Sequence, residues 1–562
     1  MRSRNWGHGS VPLPRFPRSR QNLSHGVHTA FSVGQLVPID WFEVLPGDDL
    51  SNHSTNVARL ASTFLKPVMD RLFLDVFHFY VPYRILYDNA ERVWGNPNPS
   101  SYTSEDLAEF PSCSGEIVSG SVGDFLGLPL GTIRNDDPVS VLPFRAFAEI
   151  YDKYFRNQVT ADEIFVQKGE TASSETCNSN PWSPSNYMGL PPMANKFKDY
   201  FTSAVAEPQK GAPVQLSAVA NNPVLTSSQD LVGFGTAFPT GTPLRFTSSN
   251  GSAFTLPPVG TGSVVSHLSA KSDPQDDRHV ETTAQANFSD PGRAATNNDL
   301  GLIPSNLYVQ NTATSVNDLR IAFQLQKMLE RDAIFGSRYN EYLYGHFGER
   351  ISDGRINFPE YLGGARTPLQ QTQVAQTSTS SEESPLGNLS AYSWTNGKSR
   401  FVRHIPEHGL VMTVACIRYH HIYSQGIAKK WRRFKRDDFF DPLFATIGMQ
   451  PIMRTEIDSS AAVDDVFGYR EAWSEYRLIP SSVTGKLRPN AQNNLALWTF
   501  ADNYSSPPIL SQNFTDETPI FVDRTVSVES SNMPHFIFDF WFDLRGVRRM
   551  PVTSMPGYID HY

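Results

Sequence analysis

Cysteine is almost missing: Cys113, Cys177 and Cys416 are the only three in 562 residues, far apart and never arranged as CxxC. That spacing excludes a disulfide framework, gives no zinc signature, and fits synthesis in a reducing compartment such as a bacterial cytoplasm. Also lacking is any run of about 18 apolar residues, so no transmembrane helix and no membrane insertion are expected. The arginine-bearing N-terminal stretch has no apolar segment behind it and does not read as a signal peptide. The signatures GxxxxGKS/T, HExxH and GxSxG do not occur. His420 and His421 are adjacent in an expected strand, which points them to opposite faces, one core and one surface, and denies them a shared metal. Asp437, Asp438 and Asp441 lack the glycine-punctuated loop of a calcium site. No catalytic residue, metal or cofactor is therefore expected, and the chain does not read as an enzyme.

What is present suits a large core. Hydrophobic residues make up 39% of the chain and aromatic residues 12%. The 37 phenylalanines can fill a core, while 41 prolines break helices and punctuate strands, which favours β structure with long loops. The N-terminal 39 residues hold Arg2, Arg4, Arg15, Arg18 and Arg20 and no acid, with Pro12, Pro14 and Pro17 opposing a helix. Residues 1–26 are expected to form a basic extended arm.

Strands are expected over 28–44, ending at a Gly47–Asp48 turn, and over 72–81. In the second, Phe73, Phe77, Phe79 and Val81 share one face and Leu72, Leu74, Val76 and Tyr80 the other, so both faces are covered. The strongest period of two is near the C-terminus, where Phe536, Phe538, Phe540, Phe542 and Leu544 alternate with His535, Asp539, Asp543 and Arg545. Its second face, with Ile537 and Trp541, reads as facing a partner. Residues 410–423 form a further strand-rich run. Helix is expected over 144–155 and after Ser315–Asp318, a loose capping box preceding an apolar stripe of Leu319, Phe323, Leu325, Met328 and Leu329. Residues 219–304 are rich in Gly, Pro, Ser, Thr and Asn and read either as disordered or as an inserted subdomain of short strands; 367–384 reads as an extended loop. Strands at both ends with insertions between are the pattern of a mainly β sandwich or jelly roll with elaborated loops.

The strongest local signal is electrostatic. Lys429, Lys430, Arg432, Arg433, Lys435 and Arg436 are six cations in eight residues, interleaved with Trp431 and Phe434. If the segment is helical, Lys429, Arg432, Arg433 and Arg436 share a face that can meet phosphates while the aromatics stack on bases. The competing reading is a basic face neutralised by Asp437, Asp438 and Asp441 or by acids of a neighbouring subunit. The net charge of −9 makes the whole chain a poor counterion for DNA, so any attraction must be local or supplied by a separate basic protein.

Six segments, in order along the chain, resemble the major capsid proteins of gokushovirus-type microviruses, small single-stranded DNA phages. They are LPFRAFAEIYDKYFRNQ (142–158), KDYFTSAVAEPQKG (198–211), LRIAFQLQKMLERDAIFGSRYNEYLYGHFG (319–348), PEYLGGARTPL (359–369), FGYREAWSEYRLIPSSVTGKLR (467–488) and RRMPVTSMPGYIDH (548–561). The likeness runs from about Ser24 to the C-terminus, and 219–304 departs from it. The resemblance implies a single eight-stranded antiparallel jelly roll, split over 27–218 and 305–562. It implies sixty copies in a T=1 icosahedral shell around circular single-stranded DNA, assembled in the bacterial cytoplasm. It also implies an internal scaffolding protein, a small basic DNA-binding protein, and a protrusion at the threefold axes formed by 219–304 for a host-cell receptor. Arg245, Phe246, Asn250 and Phe254 are the residues nominated there. Arg338, Tyr339, Tyr342, Tyr344, His346 and Arg350, with Tyr558, His561 and Tyr562, are nominated for subunit contacts. The five N-terminal arginines and the run 429–436 are nominated for the interior or the nucleic acid. Two readings compete: a carbohydrate-binding or depolymerase β protein of bacterial surfaces, and a nucleic-acid-binding protein that works outside a capsid.

Overall fold

A computed structural model describes residues 18–94, 109–169, 175–211, 357–377, 386–550 and 552, together with the segments 224–226, 245–247, 253–255, 268–270, 280–282, 307–309 and 316–335. The chain divides into two compact units, one of residues 1–211 and 329–562 and one of residues 212–328.

Ten strands of the first unit form its centre. They are β1 (Ser19–Asn22), β2 (His25–Phe31), β3 (Leu36–Val44), β4 (Asp49–Leu60), β5 (Leu72–Pro82), β6 (Glu360–Leu369), β7 (Gln371–Ala375), β8 (Leu389–His404), β9 (Gly409–Tyr419) and β10 (Phe536–Arg548). Among the described residues, one antiparallel sheet has the order β1-β10-β4-β8-β7, with β2 also on β10; the other has the order β6-β5-β9-β3.

The alternation on β10 decides how the sheets meet. Phe536, Phe538 and Phe540 are fully buried, whereas Ile537 and Trp541 on the other face are about half exposed. Phe538 stacks on Phe31 of β2 with ring centroids 4.2 Å apart. From the opposite sheet, Val37, Ile39, Leu74, Val76, Ala415 and Ile417 complete this core. The other face of the four-stranded sheet is covered too. Phe79, Val81, Met412 and Val414 pack with Phe144, Phe147 and Ile150 of α1 (Leu142–Ile150), which continues as a wider turn, Tyr151–Phe155. Both faces of β5 are thus apolar, as expected for a strand inside two layers.

Burial extends to charge. Arg145 on α1 is fully buried and grips Glu175 through two bonds, Nε to Oε1 at 2.9 Å and Nη2 to Oε2 at 2.8 Å, while its Nη1 donates to the Leu86 carbonyl at 3.0 Å. His78 of β5 links the sheets, with Nδ1 2.9 Å from Thr413 Oγ1 and Nε2 2.8 Å from Ser399 Oγ on β8.

Several expectations are corrected. The arm of 1–26 is strand from Ser19 onward, because β1 and β2 extend the sheet edge beside β10. The run 28–44 is two strands in different sheets, broken at Ser32–Gln35, where Gly34 has a φ of 89°. Part of the expected loop 367–384 is ladder: Gln371–Ala375 pairs with Leu389–Ser393, and residues to Leu369 belong to β6. The strand run 410–423 ends at Tyr419. His535, placed on the outer face by its alternation, is buried just before β10 and bonds to Asp523 at 2.8 Å. Helix α2 (Val316–Phe335) forms where the capping pattern indicated, but Phe323, Leu325 and Met328 of its apolar stripe are exposed. Periodicity identifies an apolar face; it does not say what covers it.

The second unit, 212–328, is wider at both ends than the expected insertion 219–304. Its described strands are paired as Val224–Thr226 with Leu307–Val309, Arg245–Thr247 with Ala253–Thr255, and Leu268–Ala270 with Val280–Thr282.

Replacing Phe538 by Ala is expected to lower stability by about 3–5 kcal/mol. Ile537→Ala, one residue away on the half-exposed face, should cost about 0.5 kcal/mol or less. Denaturant titration of the full-length protein checks the pair, and equal losses would refute the assignment of faces.

Candidate functional site

The segment between β9 and β10 carries the basic run. It rests on a satellite apolar cluster that includes Tyr200, Phe201, Tyr423, Ile452, Phe467 and Phe514. A buried charge network fixes its start. His421, just past β9, has Nδ1 2.8 Å from Asp502 Oδ1 and Nε2 2.8 Å from Glu517 Oε1. Tyr504 donates its hydroxyl to Asp502 at 2.6 Å, and Lys196 stands 4.0 Å from the same carboxylate. Burial opposes charge on His421, but the Asp502 and Glu517 carboxylates outweigh it and raise its pKa to about 9. Both ring nitrogens therefore donate. His420 is exposed, so the histidine pair divides into one surface and one core residue, although it lies beyond the strand.

The run itself is not an α-helix. Lys429–Arg432 and Arg436–Asp438 are separate single turns of 3-10 type, so the common face proposed for Lys429, Arg432, Arg433 and Arg436 does not form. Six cations repel along one helix, and Asp438 offers an alternative: its carboxylate accepts from the backbone N–H of Phe434 at 2.8 Å and Lys435 at 2.7 Å. Asp441 likewise accepts from Leu443 N at 2.9 Å, with Pro442 opening the next turn.

Arg433 turns inward. It donates to Glu475 Oε1 at 2.8 Å, and its guanidinium lies 4.2 Å from the centre of the Tyr476 ring. Lys429 donates to Gln450 at 3.2 Å. Trp473, held at a φ of 65°, donates its indole N–H to the Phe444 carbonyl at 3.0 Å. These ties anchor one side of the segment. The other side presents Trp431, Phe434 and Leu443, which are 71%, 84% and 86% exposed. Phe439, Phe440 and Ile447 lie half-open along the same segment. Lys430, Arg432, Lys435 and Arg436 make no ion pair among the described residues. Among the described residues Glu475 pairs with Arg433 alone, while Asp438 and Asp441 bond backbone amides and Asp438 also lies in the field of Lys435 and Arg433. Large apolar side chains at this density on a surface mark an interaction site.

Of the other nominated residues, Arg18 pairs with Asp49 at 3.0 Å and Arg20 is exposed on β1, opposite Val547. Phe246 and Phe254 are directly opposed in one hairpin, and Arg245 pairs in register with Thr255. Arg2, Arg4, Arg15, Asn250, Arg338, Tyr339, Tyr342, Tyr344, His346, Arg350, Tyr558, His561 and Tyr562 lie outside the described residues. Sequence reasoning missed Glu475, Tyr476 and the Asp502–His421–Glu517 network, whose members are 81 and 96 residues apart. The one available signal was the histidine pair at the end of an apolar run.

Residues 9–558 match the family described as "Capsid protein (F protein)". The chain is 34% identical to Capsid protein VP1 of Spiroplasma virus 4 over 556 residues, covering 96% of this chain and 95% of that one. It is 33% identical to Capsid protein VP1 of Chlamydia phage 1, covering 97% and 96%. It is also 33% identical to Capsid protein VP1 of Bdellovibrio phage phiMH2K, covering 98% and 97%.

Two histidines set opposite pH limits. The ion pairs of His421 contribute fully below about pH 6.5 and are lost as pH rises through about 9. Burial lowers His78 to about 4, so its neutral form stabilises fully above about pH 6.5 and that contribution falls as pH drops toward 4. Urea midpoints across this range should show His421→Gln flattening the alkaline limb and His78→Gln flattening the acid limb. Unchanged limbs in both variants would contradict the assignment.

Proposed function

The chain belongs to the capsid protein family of microvirus-type phages, and from that premise we propose that sixty copies close into a T=1 icosahedral shell around circular single-stranded DNA. Its relatives are structural proteins rather than enzymes, which sets aside the depolymerase reading. The observation that carries the proposal is a contrast within one chain: the sandwich fills its own core, while the segment 427–447 leaves Trp431, Phe434 and Leu443 to solvent. A subunit that keeps its fold and still exposes such groups is built to be covered by copies of itself. Obligate contacts of this kind bury roughly 2,000–5,000 Å² each, and closed symmetry stops them from growing into fibres.

The strand order supports a jelly roll. Eight strands, taken as β2-β10-β4-β8 against β3-β9-β5-β6, place first beside last and cross between layers at every step except β5 to β6, the pattern of two Greek keys. The remaining β1 and β7 are edge additions. The net charge of −9 favours a small basic DNA-binding protein inside the shell, and assembly is proposed to use an internal scaffolding protein in the host cytoplasm. The region 219–304 is proposed as the host-attachment protrusion, with Arg245, Phe246, Asn250 and Phe254 on it.

Purified protein, with and without a scaffolding partner, should give closed particles of uniform size in the electron microscope; protein that stays monomeric under both conditions would refute the proposal. Lys429, Lys430, Arg432 and Arg433 changed together to Gln should reduce packaging or particle yield, and a wild-type yield of filled particles would remove these residues from that role. Deleting 241–265 should leave shells intact and impair adsorption, whereas lost assembly with normal adsorption would contradict the assigned role of this region.

A further inference from the structure

The two sheets differ in what covers their outward faces. α1 and its neighbours pack on the four-stranded sheet, whereas among the described residues no element packs on the outward face of the other sheet, where Ile537, Trp541 and Trp394 are about half exposed. Register fixes what this face displays. Ile537, Arg59 and Trp394 form one rung across β10, β4 and β8; Trp541, Thr55 and Lys398 form a second; Asp543, His53 and Arg400 form a third. Trp394 and Trp541 are 51% and 52% exposed.

Trp541 lies opposite Gly26 of β2, and a Cβ built on Gly26 would stand 3.2 Å from the indole Cε3. The absent side chain lets the ring lie against the neighbouring strand with its other face open. Of the acids on this face, Asp543 pairs with Arg545 at 3.2 Å, and Asp539 stands 3.4 Å from His28, an ion pair only when that ring is protonated. Arg59, Lys398 and Arg400 are exposed and make no ion pair among the described residues. Beside them opens a cavity of about 860 Å³ whose lining includes Tyr361, Lys398, Arg400 and Trp541. Ligand sites span roughly 300–1,000 Å³.

We propose that this face binds single-stranded DNA, with Trp394 and Trp541 stacking on unpaired bases and Arg59, Lys398 and Arg400 meeting phosphates. The inference rests on the reading that the chain encloses such a genome, and it adds the surface that holds the strand. Open indole faces accept any base but find none on the outside of a duplex. A neutral glycan would use the indoles and leave three cations without a counterion; a polyanion satisfies both.

Full-length protein titrated with fluorescein-labelled oligo(dT) at several salt concentrations tests this. Trp541→Ala should weaken binding by about tenfold, and Trp541→Phe should recover most of the loss. Lys398→Gln with Arg400→Gln should reduce the slope of log affinity against log salt by about 1.4, since each single-strand phosphate contact contributes about 0.7. Those two side chains are exposed, so the double variant should melt like the parent and tests the face even if the Trp541 variant unfolds. Binding that ignores all three changes, but is lost when Lys430, Arg432, Lys435 and Arg436 become Gln, overturns the proposal and leaves genome enclosure standing. Stronger binding of a neutral glycan than of oligo(dT) also overturns it. Failure of the enclosure reading shows elsewhere, as purified particles without nuclease-protected DNA.

Discussion

Phe536, Phe538 and Phe540 of β10 are the contact on which the remaining architecture depends. They project from a strand that lies between β2 and β4, so the last long strand of the chain is paired with one of the first. Their rings are fully buried between the two sheets. Burying a side chain of this size contributes roughly 1.5–3 kcal/mol, and three in a row on one strand fix register, because a slip of one residue would place Ile537, Asp539 and Trp541 in the core. Once both ends of the sandwich are closed in this way, long stretches can leave between β5 and β6 and between β9 and β10 without loosening it. Loop-closure entropy grows only slowly with length.

Charge separates the parts that hold the fold from the parts left available. Inside, three cations are matched with acids: Arg145 with Glu175, His421 with Asp502 and Glu517, and Arg418 with Asp75, which also pairs with the more exposed Arg366. A buried ion that lost its partner would cost about 3–5 kcal/mol, which makes these pairs strict positional constraints on the insertions. Outside, the pattern reverses. Arg59, Lys398 and Arg400 on the half-exposed sheet face, and Lys430, Arg432, Lys435 and Arg436 beyond β9, have no ion pair among the described residues and stand beside exposed aromatic rings. The chain is acidic as a whole, at −9, yet these two surfaces each carry several unmatched cations beside open rings.

Where the sequence repeats a simple period, the fold was legible. β5 and β10 follow from period two, and α1 from a short apolar block whose one proline, Pro143, sits in the first turn, where it is tolerated. The misreadings have one physical origin: local pattern does not encode which neighbour is present. β1 lies in a stretch that reads as a basic arm and becomes strand because β10 offers an edge. β7, QTQVA, reads as loop and becomes strand because β8 is long enough to pair with it. The basic run reads as a possible helix, and Asp438 diverts it into turns by accepting two backbone amides. Arg145 and Glu175 are 30 residues apart, and nothing local joins them. The candidate surface was half legible: its cations and aromatics were plain, while Glu475 as the partner of Arg433 was not.

The central claim is that the segment 427–447 is folded in the single subunit and is covered only when copies meet. Hydrogen exchange tests it directly, by comparing amides of dissociated subunits with those of intact particles. Protection should rise across 427–447 on assembly, while the amides of β10, already paired on both sides, should change little. Equal exchange of 427–447 in subunit and particle would contradict the account.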